Sequence, residues 1–146
     1  MATTVSGQFR RANPIHGMLA AIPFACFTGT LVTDITYANT ADMQWANFSA
    51  WMLVAGLVFG VLAGIAGLID FGRHKTFRLE RPGWPHALGN LLVLVLAVFN
   101  ALVHSRDAYT SVMPAGLVLS IITVIVLLVT EWLGGRMLYR RVGEVR

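Results

Sequence analysis

The chain has 146 residues, 56% of them hydrophobic and 12% charged, with a mean hydropathy of +0.68. That is too little charge to cover a soluble domain of this length, and it leaves room for about four apolar spans of about 20 residues each. The net charge of +4 raises the question of nucleic acid, and the single cysteine, Cys26, excludes an intrachain disulfide and any multi-cysteine zinc or iron–sulfur centre.

Residues 1–13 read as a polar tail. No apolar run precedes Arg10 and Arg11 and no small-residue cleavage site lies close by, so the first hydrophobic segment is expected to stay as a helix. Span one is predicted from Pro14 to Tyr37. Pro14 suits a first helical turn, Pro23 is expected to kink the helix, and Cys26 reads as a small packing residue. Gly17, Ala21, Ala25 and Gly29 recur every four residues, a stripe along which another helix can approach closely. Residues 38–48 read as a loop, with Trp45 and Trp51 as interfacial aromatics. Span two is predicted from Ser49 to Ile69 and carries a second stripe at Gly56, Gly60 and Gly64, followed by Gly67. The two stripes suggest that spans one and two pack against each other through them.

Residues 70–83 form the most charged loop, and Pro82, Gly83 and Pro85 break it before span three. Span three, Trp84 to His104, pairs His86 with Asn90 near one end and Asn100 with His104 near the other, each pair on one helical face. Pro114 opens span four, which runs to Gly134, and its Ser120, Thr123 and Thr130 are expected to bond back to their own helix. Residues 135–146 form a basic amphipathic tail. The expected organisation is an all-α bundle of four transmembrane helices over residues 14–134, flanked by a tail at 1–13 and another at 135–146. No internal repeat is evident.

Of the 11 Lys and Arg residues, only Arg106 lies outside the N-terminal tail, the middle loop and the C-terminal tail. Four spans put those three segments on one side, and the positive-inside rule makes that side cytoplasmic. Both termini are thus expected on the cytoplasmic side of the membrane. The basic charge is explained by orientation and anionic lipid headgroups, and nucleic acid is not an expected partner.

Ionisable groups inside a membrane are costly and usually face the protein interior. His16, Asp70 and His86 fall at the cytoplasmic ends of their spans, with Asn90 one turn deeper. Two histidines on different helices can ligate one b-type haem, with a carboxylate orienting one ring. The same residues can hold a divalent metal, relay protons, seat a quinone headgroup, or simply pin helix ends together. Asp34, Asn100 and His104 fall at the outer ends and read as an interhelical polar clasp, each bond worth about 1 kcal/mol. His74 reads as solvated, and Glu131 as a partner for Arg136 or another inner arginine. No Gly-rich phosphate loop, nucleophile elbow, HExxH or CxxC is present.

The segments NPIHGMLAAIPFACFTGTLVTDITY, GLIDF, HALGNLLVLVLAVFN and EWLGGRMLYRRVG resemble, in order and over about residues 10–143, a bacterial inner-membrane family known as domain of unknown function 2231. Its opening motif, roughly His-Pro-Leu-His-Pro-Met-Leu, has Asn13 here at the first histidine, His16 at the second and Gly17 at the second proline. The family's aspartates fall on Asp34 and Asp70, and its His-Ala-x-x-Asn motif on His86 and Asn90. Where relatives often carry Tyr-Arg-His-Gly, this chain has Tyr139, Arg140, Arg141 and Val142, which leaves His16 and His86 as candidate ligands. The resemblance implies a four-helix membrane domain. Relatives joined or adjacent to Rieske and cytochrome c-like domains add weight to a redox role, by analogy only.

The leading expectation is a small electron-transfer module. It would hold haem b between spans one and three through His16 and His86, with Asp70 and Asn90 supporting, and pass electrons between quinol and a partner redox protein. The competing expectation is a non-catalytic scaffold or accessory subunit of a larger membrane complex, with self-association also open. A transporter or channel has less support, because no inverted repeat or central charged pathway is evident.

Overall fold

The computed structural model describes residues 14–73, 83–106 and 108–143, and within these the side chains of residues 16–69, 84–106 and 110–135. Four helices follow in order: α1 (Pro14–Thr40), α2 (Met43–Arg73), α3 (Gly83–His104) and α4 (Ala115–Gly143), with a 3-10 turn at Ala108–Ser111 before α4. Each is long and apolar enough to cross a membrane, over His16–Thr40, Met43–Ile69, Trp84–His104 and Ala115–Gly135. The chain is a multi-pass membrane protein, with four membrane-length helices and no strand among the described residues. Helices are the form such segments must take, because the bilayer interior has no water for a bare backbone N–H or C=O.

Two predicted boundaries move. Most of the loop expected at residues 38–48 is helical, leaving only Ala41 and Asp42 between α1 and α2. Thr36, Asn39 and Thr40 give their side-chain protons to the carbonyls of Val32, Ile35 and Thr36 one turn back, at 2.9, 2.7 and 2.9 Å, so α1 continues past its apolar stretch. Ala41 then turns the chain at φ 54°, and its N–H closes on the Tyr37 carbonyl at 2.8 Å. Asp42 caps α2 by accepting from the Gln44 N–H at 2.9 Å. At the other end, α4 runs on to Gly143 through most of the segment expected as a separate tail.

Sequence neighbours pack most extensively, α1 on α2 and α3 on α4, and the two hairpins meet through α1–α4 and α2–α3. All four helices contribute to the central core, which is Phe27, Leu53, Val93, Ala97 and Leu127. Tyr37, Ala46 and Val112 form a second cluster toward the α1–α2 turn. The outer faces are large and apolar: Val32, Val58, Leu91, Leu102, Ile125 and Leu128 all stand exposed, as a lipid-facing surface requires.

The two small-residue stripes do not meet. Two members of the α2 stripe face inward: a Cβ at Gly56 would lie 2.5 Å from Phe27 Cε1, and one at Gly60 would lie 2.6 Å from Leu94 Cδ2 of α3, whereas Gly64 is exposed with nothing within 4 Å. On α1, Gly17, Ala21 and Ala25 face outward, and only Gly29 abuts α2, through Met52. Bulky aromatic and aliphatic side chains, not the α1 stripe, fill the grooves that the α2 glycines open. Pro23 lies within a continuous α1, buried and beside Gly60.

Candidate functional site

The polar residues sort into two levels. At the level where α1 and α3 end, Asp34 is completely buried and gathers donors from the other three helices. Ser49 of α2 donates to Oδ1 at 2.5 Å and Ser120 of α4 to Oδ2 at 2.5 Å. His104 Nε2 of α3 lies 2.9 Å from Oδ1. The other nitrogen of His104, Nδ1, faces the Asn100 carbonyl at 3.0 Å. The His104 ring thus bridges the Asp34 carboxyl group of α1 and the main chain of its own helix. Asn100 donates to Ser120 Oγ at 2.8 Å, and Thr33 Oγ1 lies 2.7 Å from Ser49 Oγ. Gly116 makes the room: a Cβ there would stand 2.8 Å from His104 Cε1.

Of the predicted outer set, the structure brings Asp34 and His104 into direct contact, while the Asn100 side chain reaches Asp34 through Ser120. Sequence reading missed Ser49 altogether. It assigned Ser120 to its own helix together with Thr123 and Thr130. Those two threonines do bond back, to the Leu119 and Val126 carbonyls at 2.7 Å each, whereas the Ser120 hydroxyl crosses to α1. The available signal was depth: Ser49 and Ser120 each lie near the start of a span, level with the end of span one.

At the opposite level each histidine clasps its own hairpin. His16 Nδ1 donates to the Ala63 carbonyl of α2 at 3.0 Å, with Gly67 leaving space for the ring. His86 Nδ1 donates to the Thr130 carbonyl of α4 at 3.0 Å, with Gly134 leaving space in the same way. Asn90 Nδ2 donates to His86 Nε2 at 3.0 Å and also reaches the His86 carbonyl at 3.1 Å. Position 20, one turn beyond His16, is Ala20 and offers no such amide. The predicted contributions of Asp70 and His74, and the pairing of Glu131 with Arg136, involve side chains outside the described residues. Among the described residues no group of three His, Cys, Asp or Glu side chains could hold a metal ion. Cys26 is a free, half-buried thiol.

No curated protein and no solved structure matches the chain. Four apolar membrane-length helices in this order are what the resemblance implied, and the sequence model of one family covers residues 12–146. The chain belongs to DUF2231, a family of predicted membrane proteins.

Proposed function

We propose that this protein is a non-catalytic membrane scaffold, an accessory subunit that docks a larger membrane complex. One observation carries the reading: Asp34, His16, His86 and His104 are spent on holding the bundle together. Asp34 accepts from α2, α3 and α4 at once, and His16 and His86 each tie one helix to the next. The outward stripe of Gly17, Ala21 and Ala25 is then the edge along which a partner helix approaches.

A second reading, haem b between α1 and α3 carrying electrons from quinol to a redox partner, draws on the tautomer. Both rings commit Nδ1–H to a main-chain carbonyl, which leaves Nε2 with the lone pair that iron takes. The fit fails on the α3 side. His86 Nε2 already accepts from Asn90, and the two rings sit in separate hairpins, each against its own glycine. A bis-histidine site needs both Nε2 lone pairs open to one slot.

Purification from membranes of cells supplied with a haem precursor separates the readings. The scaffold reading expects colourless protein, with co-purifying partners retained in His16→Ala and His86→Ala and lost in Ala21→Leu or Ala25→Leu. A Soret band that shifts on reduction and vanishes in both histidine variants would overturn it in favour of the redox module.

A further inference from the structure

The two histidine clasps are built alike. His16 and His86 stand 70 positions apart, and so do Asp34 and His104. On the partner helices the carbonyls at Ala63 and Thr130 stand 67 apart, as do Gly67 and Gly134, and Ser49 and Gly116. With the clasps fixing the register, most buried positions on the helices coincide, with exceptions at Val124 against half-buried Leu57 and Ala46 against half-buried Met113. Pro23, Phe27, Thr30, Thr33 and Asp34 on α1 match Val93, Ala97, Asn100, Val103 and His104 on α3, all buried. Ser49, Leu53, Gly56, Gly60 and Ala63 on α2 match Gly116, Ser120, Thr123, Leu127 and Thr130 on α4, again all buried. The two contacts between the hairpins, α1–α4 and α2–α3, are near-equal in extent, as a two-fold relation requires, although α1 packs on α2 more extensively than α3 on α4.

We infer that the chain is two equivalent helical hairpins, α1–α2 and α3–α4, related by a pseudo-two-fold axis along the bundle, and that the face by which each binds the other is one interaction surface used twice. The two halves retain almost no side chains in common beyond His16/His86 and Gly67/Gly134. Packing explains why. Near a two-fold axis equivalent residues approach each other, and two large side chains cannot share one close-packed volume. The halves differ in the complementary sense: Phe27 against Ala97, Leu53 against Ser120, Gly60 against Leu127. At Asp34 against His104 the difference is chemical, a carboxyl group in one half and an imidazole in the other, 2.9 Å apart. The neighbours follow suit. Ser49 donates to the small carboxylate, while its equivalent Gly116 gives the imidazole room. Gly56 likewise makes room for Phe27, while its equivalent Thr123 stands in the half that carries Ala97. These differences make a hairpin prefer its unlike half to a second copy of itself, since a like pair would set Asp against Asp or His against His.

The test exchanges residues across the axis in the full chain. Phe27→Ala with Ala97→Phe moves the large ring to the other half, where it meets Thr123. Adding Gly56→Thr and Thr123→Gly moves the space with it. Thermal unfolding in detergent and the yield of monodisperse protein are read for both variants. The two-site exchange is expected to cut the monodisperse yield several-fold, and the four-site exchange to regain most of it together with a higher midpoint. A four-site variant no better than the two-site variant, including failure of both to give monodisperse protein, overturns the equivalence. A circular permutant with wild-type core residues, opened within residues 74–82 and joined from Arg146 to Met1, is a second measurement. It is expected to run as the native protein does, and its failure to accumulate in the membrane would equally count against two interchangeable halves.

Discussion

Asp34→Ala is the most informative single perturbation. It strands three donors, Ser49 Oγ, Ser120 Oγ and His104 Nε2, in a region from which water is excluded. Interhelical hydrogen bonds inside membranes average about 0.6 kcal/mol and reach about 1.7 kcal/mol, so three lost together amount to about 2–5 kcal/mol. The substitution also abolishes the cost of burying the carboxyl group, which pulls the loss toward the lower part of that range. The expected loss is about 2–4 kcal/mol. Asp34→Asn keeps one acceptor oxygen but turns an NH2 toward donors, and is expected to lose about 2 kcal/mol. Equilibrium unfolding by SDS in mixed micelles measures both. A double-mutant cycle with His104→Ala should return a coupling of at least about 1 kcal/mol. An Asp34→Ala protein within about 1 kcal/mol of wild type would refute the account of this network as the bundle's principal polar tie.

The other predictions are local. Gly56→Ala, whose Cβ would lie 2.5 Å from Phe27 Cε1, should lose about 1–3 kcal/mol through overpacking, whereas Gly64→Ala, with nothing within 4 Å, should be neutral or gain up to about 1 kcal/mol of helix propensity; the same unfolding titration separates them. Gly134→Ala drives a Cβ to 2.9 Å from His86 Nδ1 and should break the α3–α4 clasp, so the Thr130 carbonyl bond is lost. The imidazole resonances of His86 in a detergent NMR spectrum should then shift while those of His16 do not. Ala41→Gly relieves a left-handed backbone at φ 54° and should stabilise by up to about 1 kcal/mol, strain relief of about 1–2 kcal/mol being partly offset by glycine's greater freedom when unfolded; a lower midpoint would refute the strain.

Much of the fold is legible in the residues because the bilayer imposes it. A run such as Leu91–Ala97 has only one way to satisfy its backbone in hydrocarbon, so spans follow from length and apolarity. The ends of the helices are less legible. Residues 38–48 look polar enough for a loop, but Thr36, Asn39 and Thr40 each cap a carbonyl of their own helix, a choice made locally that composition does not register. The candidate site was half visible. Asp34 and His104 stand out as ionisable groups in apolar runs, and depth places them together. Ser49 and Ser120 do not stand out, since a serine in a span bonds equally well to its own helix and only the facing carboxylate decides between the two.

What the sequence determined on its own is the number of spans, their order and the family, because these depend on one-dimensional quantities: run length, hydropathy and motif order. Which faces turn inward was decided in three dimensions. Neither the outward α1 stripe nor the inward α2 stripe could be assigned from spacing, because a small residue invites close approach without naming the partner. The equivalence of the two halves was hidden for a related reason. Steric exclusion near the axis makes matched positions unlike, so Phe27 with Ala97, or Asp34 with His104, reads as no repeat at all until the helices are packed and the same positions are found buried.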